Sequence, residues 1–357
     1  MQNMVAEPSA EITGKRSGAI DMLKSIAIFG VLTIHATFGG LAAGVATANW
    51  FASVFWGSIV RSSVPIFLMC SGALLLDPKK ELSLTTLYRK NLLRILIALF
   101  FWATAYKLYG LLVSGSGFSL GNIIQSVKEV LTFQHEFHLY YLHIMILVYV
   151  CLPVTRIITA GATKQQLRYL LAVWFVLGIV FPVAKEFWPF TLLSGIPLQW
   201  MMNMSYSAIG FGILGYYITS DTQWKAGFSL MLFFCGFLCV FGGTAAMSIR
   251  AGALYQLFWE GMSPGVCFMA AGLFGTITAL SRSGNSRYRV AEKISKASFC
   301  VYLVHVFFLN VFTGLGFTVS LLPSLISIPL LVLAVFVCSY AVYLILSRIP
   351  VVNKYLI

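Results

Sequence analysis

Apolar runs of about 20 residues recur from residue 19 almost to the end of the chain, and they constrain the fold more than any other feature. Each run is long enough to cross a hydrocarbon core of roughly 30 Å as a helix. In lipid, every backbone polar group must be paired within the protein, so the runs must form helices or the strands of a closed barrel. Barrel strands need roughly half this length, so the runs predict an all-α, polytopic membrane protein.

The predicted organisation is a single membrane domain of about ten transmembrane helices. The first run follows a polar stretch, contains Asp21 and Lys24, and lacks a small-residue cleavage site, so we expect a permanent span rather than a signal peptide. The domain at 19–348 is predicted to lie between an N-terminal tail at 1–18 and a C-terminal tail at 349–357. We place the spans at 19–39, 50–76, 91–113, 138–158, 168–188, 199–219, 224–247, 254–280, 297–317 and 322–347.

The charge pattern predicts the orientation of these spans. Charged residues make up 10% of the chain and the formal net charge is +13. In a soluble protein this excess would suggest nucleic acid, but here the basic residues cluster in short loops on one side of the membrane, which favours a topological role and no nucleic-acid partner. Both termini are therefore predicted to be cytoplasmic. The 114–137 loop is the longest on the opposite side and is predicted to carry a short amphipathic helix around Leu120–Leu131.

All seven cysteines lie within or at the ends of apolar runs: Cys70, Cys151, Cys235, Cys239, Cys267, Cys300 and Cys338. The sequence has no CxxC pair and no metal-ligand spacing, so these residues are interpreted as small buried hydrophobes. We predict neither a structural disulfide nor a metal site.

The first span carries ionisable residues where a membrane should not tolerate them. Lys24 and His35 are eleven residues apart, which places them on one helix face, separated by roughly 16 Å along the axis. His35 lies roughly 21 Å from Asp21, beyond the bilayer midplane if Asp21 marks the inner interface. An imidazole there can exchange a proton near neutral pH, although a core histidine bonded to a neighbouring helix is the alternative.

Two further ionisable residues fall within spans. Arg61 in the second span needs an anionic or water-filled partner, and a structural pair with an intramembrane carboxylate is the alternative. Glu260 in the eighth span could neutralise Arg61 or orient a histidine. Ser71 and Gly72 could simply be small residues at a helix contact.

A pair of basic residues opens the third span. Lys90 and Arg94 are four residues apart and should share a helix face at the predicted cytoplasmic boundary. They are interpreted either as ordinary positive-inside anchors or as a clamp for phosphate groups.

Aromatic residues and histidines accompany two other spans. His138 and Tyr141 open the fourth span. They are interpreted either as part of an interfacial aromatic belt or as a platform for a sugar ring. In the ninth span, Ser298, Tyr302 and His305 follow one another at helical spacing and should form a polar stripe facing the bundle interior.

These segments resemble those of the membrane acyltransferase-three family, in the branch that includes surface-polysaccharide O-acetyltransferases. The resemblance rests on Asp21 and Lys24 followed by His35, on Arg61-Ser62-Ser63-Val64-Pro65 leading to Ser71, on Lys90 with Arg94, on His138-Leu139-Tyr140-Tyr141-Leu142, on the stripe from Ser298 to His305, and on the ending Arg348-Ile349-Pro350. Lys24 and Lys90 stand where most members carry Arg. These motifs follow the family's order along nearly the whole chain.

The resemblance implies a bacterial inner-membrane enzyme that moves an acetyl group from cytoplasmic acetyl-CoA to a hydroxyl of a cell-surface glycan or its lipid-linked precursor. It implies His35 as the catalytic residue, and we expect Asp21 and Tyr302 to assist it. We expect Lys24, Lys90, Arg94 and Ser71 to hold the donor, and Arg61, His138, Tyr141, Glu260 and His305 to bind the acceptor. The remaining alternative is a transporter or flippase of a lipid-linked glycan, which would also show many spans and intramembrane charges.

Overall fold

The protein is a bundle of membrane-spanning helices. The computed structural model describes residues 17–115, 117–221, 224–282 and 288–357, and these residues form helices without strands. Nine helices within these ranges are long and apolar enough to cross a membrane. The predicted all-α polytopic architecture is confirmed. The predicted N-terminal tail lies almost wholly outside the described residues, which begin at Ser17.

Ten helices correspond to the ten predicted runs. The tenth match, α6, has 17 residues and is the shortest of the set. In chain order they are α1 (Gly18–Leu41), α2 (Ala48–Leu75), α3 (Leu84–Val113), α4 (Phe137–Gly161), α5 (Lys164–Ala184), α6 (Met204–Ser220), α7 (Ala226–Ala251), α8 (Leu257–Arg282), α9 (Arg289–Gly314) and α10 (Ser324–Leu346).

Helices α9 and α3 begin well before their predicted apolar runs because polar residues extend them. In α9, Lys296 donates to Glu292 four residues before it at 2.8 Å, which supports helix in the charged stretch ahead of the apolar run. Ahead of α3, the Ser83 hydroxyl accepts the backbone N–H of Thr86 at 3.1 Å and caps the first turn. The predicted starts at 297 and 91 were therefore too late.

Helix α2 is broken in the middle, and the sequence explains the break. It consists of Ala48–Ile59 and Ser63–Leu75, joined by a turn that contains Arg61. Pro65 has no backbone N–H, and its ring excludes the carbonyl four residues earlier, which belongs to Arg61. The break thus places Arg61 on non-helical backbone inside the membrane domain.

Helix α1 lies at the centre of the bundle. It contacts α9, α10 and the Ser63–Leu75 half of α2. In its most apolar stretch, 67% of the residues are buried, whereas the corresponding share for the peripheral helix α7 is 22%. The same half of α2 lies very close to α6, where a Cβ on Gly72 would stand 1.9 Å from the carbonyl oxygen of Gly212. Gly72 therefore has the packing role that the sequence allowed for it.

The predicted amphipathic helix is present at Leu120–Leu131. Its apolar side chains are largely exposed, with Leu120 at 75% and Leu131 at 64%. On its other face, Glu129 accepts a 2.6 Å hydrogen bond from Lys107 of α3. The helix is therefore tied to the bundle by an ion pair and leaves an apolar face free for the membrane interface.

Candidate active site

A cavity of about 540 Å³ runs along α1 through the middle of the bundle. We call one end the basic end; it is lined by Lys24, Asn91, Arg94 and Ser298. We call the other the aromatic end; it is lined by Phe38, Phe137, Tyr140, Gln256 and Glu260. All five residues of the aromatic end are exposed, so this end opens onto the protein surface.

His35 lies between the two ends of the cavity. It shares the cavity with Lys24, as the eleven-residue spacing predicts. Its ring lies 5.1 Å from that of Phe137 in an edge-to-face arrangement. Nδ1 is buried without a hydrogen-bond partner, and the ring makes no hydrogen bond to any residue that the structure describes. The alternative of a core histidine bonded to a neighbouring helix is therefore not what the fold contains.

Two cations line the basic end. The ammonium group of Lys24 forms no ion pair with the described part of the chain. The guanidinium of Arg94 lies 5.3 Å from the centre of the Phe299 ring and donates to the carbonyl of Ile357, while its Nε is buried and unpartnered. Two positive charges with unused donors at the edge of an apolar bundle suit a phosphate-bearing ligand.

Lys90 does not join Arg94 in the cavity wall, contrary to the shared face predicted for them. Residues Leu87–Leu92 form a π-helical segment, which has more residues per turn than an α-helix and therefore changes the direction of the side chains along it. Lys90 is consequently exposed, and Asn91 lines the cavity instead. A four-residue spacing gives a shared face only in an α-helix, so Lys90 lies outside the cavity wall, and its role in donor binding stays a prediction.

Asp21 and Ser71 differ in their relation to the cavity. Asp21 is buried outside the cavity wall, and its main-chain carbonyl accepts the hydroxyl of Ser25 at 2.8 Å. This places Asp21 in the helix packing, and its expected role in catalysis stays a prediction. Ser71 does line the cavity, with its hydroxyl donated to the carbonyl of Phe67 at 3.0 Å.

Arg61 and Glu260 line the cavity towards the aromatic end. The Nε of Arg61 donates to the main-chain carbonyl of Trp259 at 2.5 Å, and its guanidinium carbon lies 4.9 Å from the centre of the Trp259 ring. Trp259 is itself fixed by an indole N–H donated to Ser58 at 2.8 Å. Arg61 and Glu260 form no ion pair, so the alternative in which a carboxylate pairs with Arg61 gives way to a carbonyl and an aromatic face.

Four residues predicted from α4 and α9 meet on one side of His35. Tyr141, Tyr302 and His138 line the cavity, and the Tyr302 hydroxyl donates to the main-chain carbonyl of His138 at 2.5 Å. His138 is buried with both ring nitrogens unpartnered. His305 is fully buried and stands behind the wall, 5.1 Å from the His35 ring and 5.3 Å from that of His138.

Several cavity residues were not singled out from the sequence. Phe38 and Phe137 flank His35, Tyr149 lies towards the basic end, and Gln256 lies immediately ahead of the 3-10 turn that opens α8. Asn91 also lines the cavity, and a signal for it existed because it is the polar neighbour of a basic pair.

The fold and the cavity define a multi-pass helical membrane protein with a histidine held between a cationic end and an aromatic mouth. The acyltransferase-3 family model, described as an acyltransferase domain, matches residues 17–345. The chain belongs to this family, and the protein is a membrane acyltransferase. Neither a curated protein nor a solved structure shows significant similarity to it. Membership of the family favours an acyltransferase over a transporter of lipid-linked glycans.

Proposed function

We propose that the protein transfers an acetyl group from acetyl-CoA to a hydroxyl of a cell-surface glycan or of its lipid-linked precursor. One observation carries the proposal: a single cavity connects the cations Lys24 and Arg94 with the His35 ring and with an open aromatic mouth. An acyltransferase needs a donor site, a base and an acceptor site within reach of one another. The cavity offers a candidate for each.

The donor is proposed to enter at the basic end. Lys24 and Arg94 supply positive charge for the phosphate groups of coenzyme A, and Asn91 offers an amide beside them. The axial separation of roughly 16 Å between Lys24 and His35 is of the order that an extended pantetheine arm spans. The thioester would then lie at His35 while the nucleotide stays at the edge of the bundle.

His35 is proposed to act as the general base through Nε2, since Nδ1 is sealed within the protein. The hydroxyl oxygen of the acceptor attacks the thioester carbonyl while the imidazole takes its proton. The carbon–sulfur bond then breaks, and the imidazolium returns the proton to the departing thiolate. A route through a transiently acetylated imidazole gives the same products and would leave labelled protein on rapid quenching.

Arg61 is proposed to stabilise the negative oxygen that develops on the thioester carbonyl. Tyr302 and Ser71 already donate their hydroxyl protons to backbone carbonyls. Arg61 uses its Nε, while its two terminal nitrogens have no partner among the described residues. A fixed guanidinium with unused donors is the arrangement that oxyanion stabilisation requires.

The acceptor is proposed to bind at the aromatic end. Phe38, Phe137 and Tyr140 line an open mouth, and Gln256 and Glu260 offer hydrogen-bonding groups beside them. Rings with adjacent amide and carboxylate groups suit a polyhydroxylated ligand, because a sugar has both apolar faces and many hydroxyls. His138 and Tyr141 extend this surface towards His35.

The basic end is proposed to face the cytoplasm of a bacterium, with the protein in the inner membrane and both termini inside. This orientation brings the donor site to the compartment where acetyl-CoA is made and the aromatic mouth to the outer face. A reporter that is active in the cytoplasm should work when fused after residue 357 and fail when inserted in the 114–137 loop. The opposite pattern would reverse the orientation.

The decisive assay uses the purified protein in lipid nanodiscs with acetyl-CoA labelled in the acetyl group. Free coenzyme A should appear together with label on a glycan or lipid-linked glycan acceptor, and nanodiscs without protein serve as the control. Coenzyme A is measured by chromatography, because the seven free cysteines of the protein would react with a thiol reagent. Release of neither product, with acceptors of several glycan classes, would remove the proposal.

A further inference from the structure

Two buried imidazoles stand side by side, and the proposed chemistry uses one of them. The ring centres of His35 and His305 are 5.1 Å apart and their planes are tilted by 30°. His35 lines the cavity, whereas His305 is 0% exposed and has no access to a ligand there. A fully buried histidine outside the cavity wall can influence the reaction through its neighbour.

The tautomer of His305 is fixed by its own helix. Its Nδ1 lies 2.6 Å from the carbonyl oxygen of Tyr302. A carbonyl can accept but not donate, so Nδ1 carries the hydrogen and the neutral ring keeps a lone pair on Nε2. This Nε2 is buried and has no hydrogen-bond partner among the described residues. Leaving such an acceptor unpaired in a dry interior is unfavourable.

His35 has the complementary requirement. If its Nε2 is the base, its hydrogen must be on Nδ1, which is also buried and unpartnered. One ring therefore has an unused donor and the other an unused acceptor. Two imidazoles joined by an N–H···N hydrogen bond of about 2.9 Å have ring centres roughly 5 Å apart. The observed separation of 5.1 Å matches this value.

We infer that His305 is a positioning residue, which accepts a hydrogen bond from Nδ1–H of His35 and thereby directs Nε2 of His35 towards the reacting hydroxyl. The inference rests on the proposed function of His35 as the base. The two nitrogens are unpaired in this structure, so the pairing requires the His35 ring to rotate about its Cβ–Cγ bond, and catalytic hydrogen bonds commonly tighten once substrate is bound. The Tyr302 carbonyl is the third member of this chain of hydrogen bonds.

The pairing serves the reaction in two ways. It selects the tautomer in which Nε2 of His35 is free to take a proton, as second-sphere partners of histidine do elsewhere. It also stabilises the imidazolium after proton uptake, because Nδ1–H then donates to a neutral acceptor.

The other charged or titratable groups near His35 are His138 and Arg61. The guanidinium of Arg61 has donors only and cannot accept a hydrogen bond from Nδ1–H.

The test compares three variants in the acetyl-transfer assay. His305→Phe removes the acceptor and should lower kcat roughly 10- to 100-fold with little change in the KM for acetyl-CoA. His305→Gln should recover part of that loss, because its amide oxygen can accept near the position of Nε2. Tyr106→Phe is the matched structural control, since it removes a 2.9 Å hydrogen bond to the Leu303 carbonyl in the same stretch of α9. Its kcat should stay near that of the parent protein.

A spectroscopic readout separates this inference from the proposed function. The chain has five histidines, so ¹⁵N-histidine spectra of the protein in nanodiscs can be assigned by single substitutions. His35 should be in the Nδ1–H form in the parent and in His305→Gln, and should populate both tautomers in His305→Phe. An unchanged His35 tautomer in His305→Phe, or equal kcat in the Phe and Gln variants, would overturn the pairing. Absence of acetyl transfer by the parent would overturn the proposed function instead, and the spectra would still decide the pairing.

Discussion

Arg61 and Trp259 form a two-point contact across the bundle: Nε of the arginine donates to the tryptophan carbonyl at 2.5 Å, and the guanidinium carbon lies 4.9 Å from the ring centre. The contact joins the broken middle of α2 to the start of α8. It holds the guanidinium at a set place on the cavity wall while leaving its terminal nitrogens unused. A cation fixed in this way can act on charge that develops nearby.

Arg61→Gln should therefore lower kcat by about 10²- to 10³-fold, the usual result of removing one oxyanion donor. The substitution keeps a hydrogen-bonding side chain for the Trp259 carbonyl but removes the charge. Steady-state kinetics with acetyl-CoA measure it, and the KM for the donor should change little because Lys24 and Arg94 are untouched. A variant that loses donor affinity and keeps kcat would place Arg61 in the donor site instead.

His35→Ala should lose about 10²- to 10⁴-fold in transfer rate, the range expected for removing a general base. Folding should be retained, since His35 makes no hydrogen bond to the described residues and is partly open to the cavity. The rate is measured by label transfer and the fold by size-exclusion profile and melting temperature. Normal acetylation by a well-folded variant would remove the base assignment.

Arg94→Ala should raise the KM for acetyl-CoA by about 10- to 100-fold, because a hydrogen bond to a charged group contributes about 1.5–3 kcal/mol. Lys90→Ala should have a smaller effect, since Lys90 is exposed outside the cavity wall. The two variants, compared at saturating acceptor, separate a donor contact from ordinary anchoring at the membrane boundary. Equal effects would restore the paired clamp predicted from the sequence.

Gly72→Ala should destabilise the protein by about 1–3 kcal/mol or more, as overpacking of a close contact does. The added methyl would stand 1.9 Å from the carbonyl oxygen of Gly212, and backbone cannot move aside as a side chain can. Gly110→Ala in α3 is the matched control, because nothing lies within 4 Å of its added methyl. Its helix should gain roughly 0.5–1 kcal/mol from the lost flexibility of glycine. Thermal melting in one detergent compares the two.

The ion pair of the amphipathic helix predicts a response to acid. The hydrogen bond from Lys107 lowers the pKa of Glu129. The contact therefore stabilises the helix fully at pH values above the ordinary pKa of a carboxyl group. That stabilisation is lost as the pH falls through the lowered pKa of Glu129. The hydrogen-exchange protection of residues 120–131, corrected for the intrinsic exchange rate at each pH, should therefore fall at acid pH in the parent protein more than in Glu129→Gln. An equal loss of protection in both would show that the pair does not hold the helix.

Features that depend on one helix or one short segment could be predicted from the sequence. Lys24 and His35 share the cavity because helical periodicity fixes their relative direction, whatever surrounds them. Pro65 favours the break at Arg61 through its ring and its missing N–H, although the sequence analysis placed 50–76 as one continuous span. The position of Lys90 outside the cavity wall also has a local reason: a π-helical segment precedes Arg94, and no residue pattern signals it reliably.

The partners of these residues across the bundle were decided by tertiary structure. Nothing in the sequence indicates that Arg61 rests on Trp259, that Tyr302 donates its hydroxyl to the His138 carbonyl, or that His305 stands beside His35. Those contacts join segments far apart in the chain, and their geometry depends on how whole helices pack. The sequence by itself determined that the chain crosses the membrane many times and which residues are too polar to face lipid, because burying backbone and charge in hydrocarbon has few solutions. The tertiary structure decided which of those residues meet, because close packing of helices sets distances that no pattern along one helix contains.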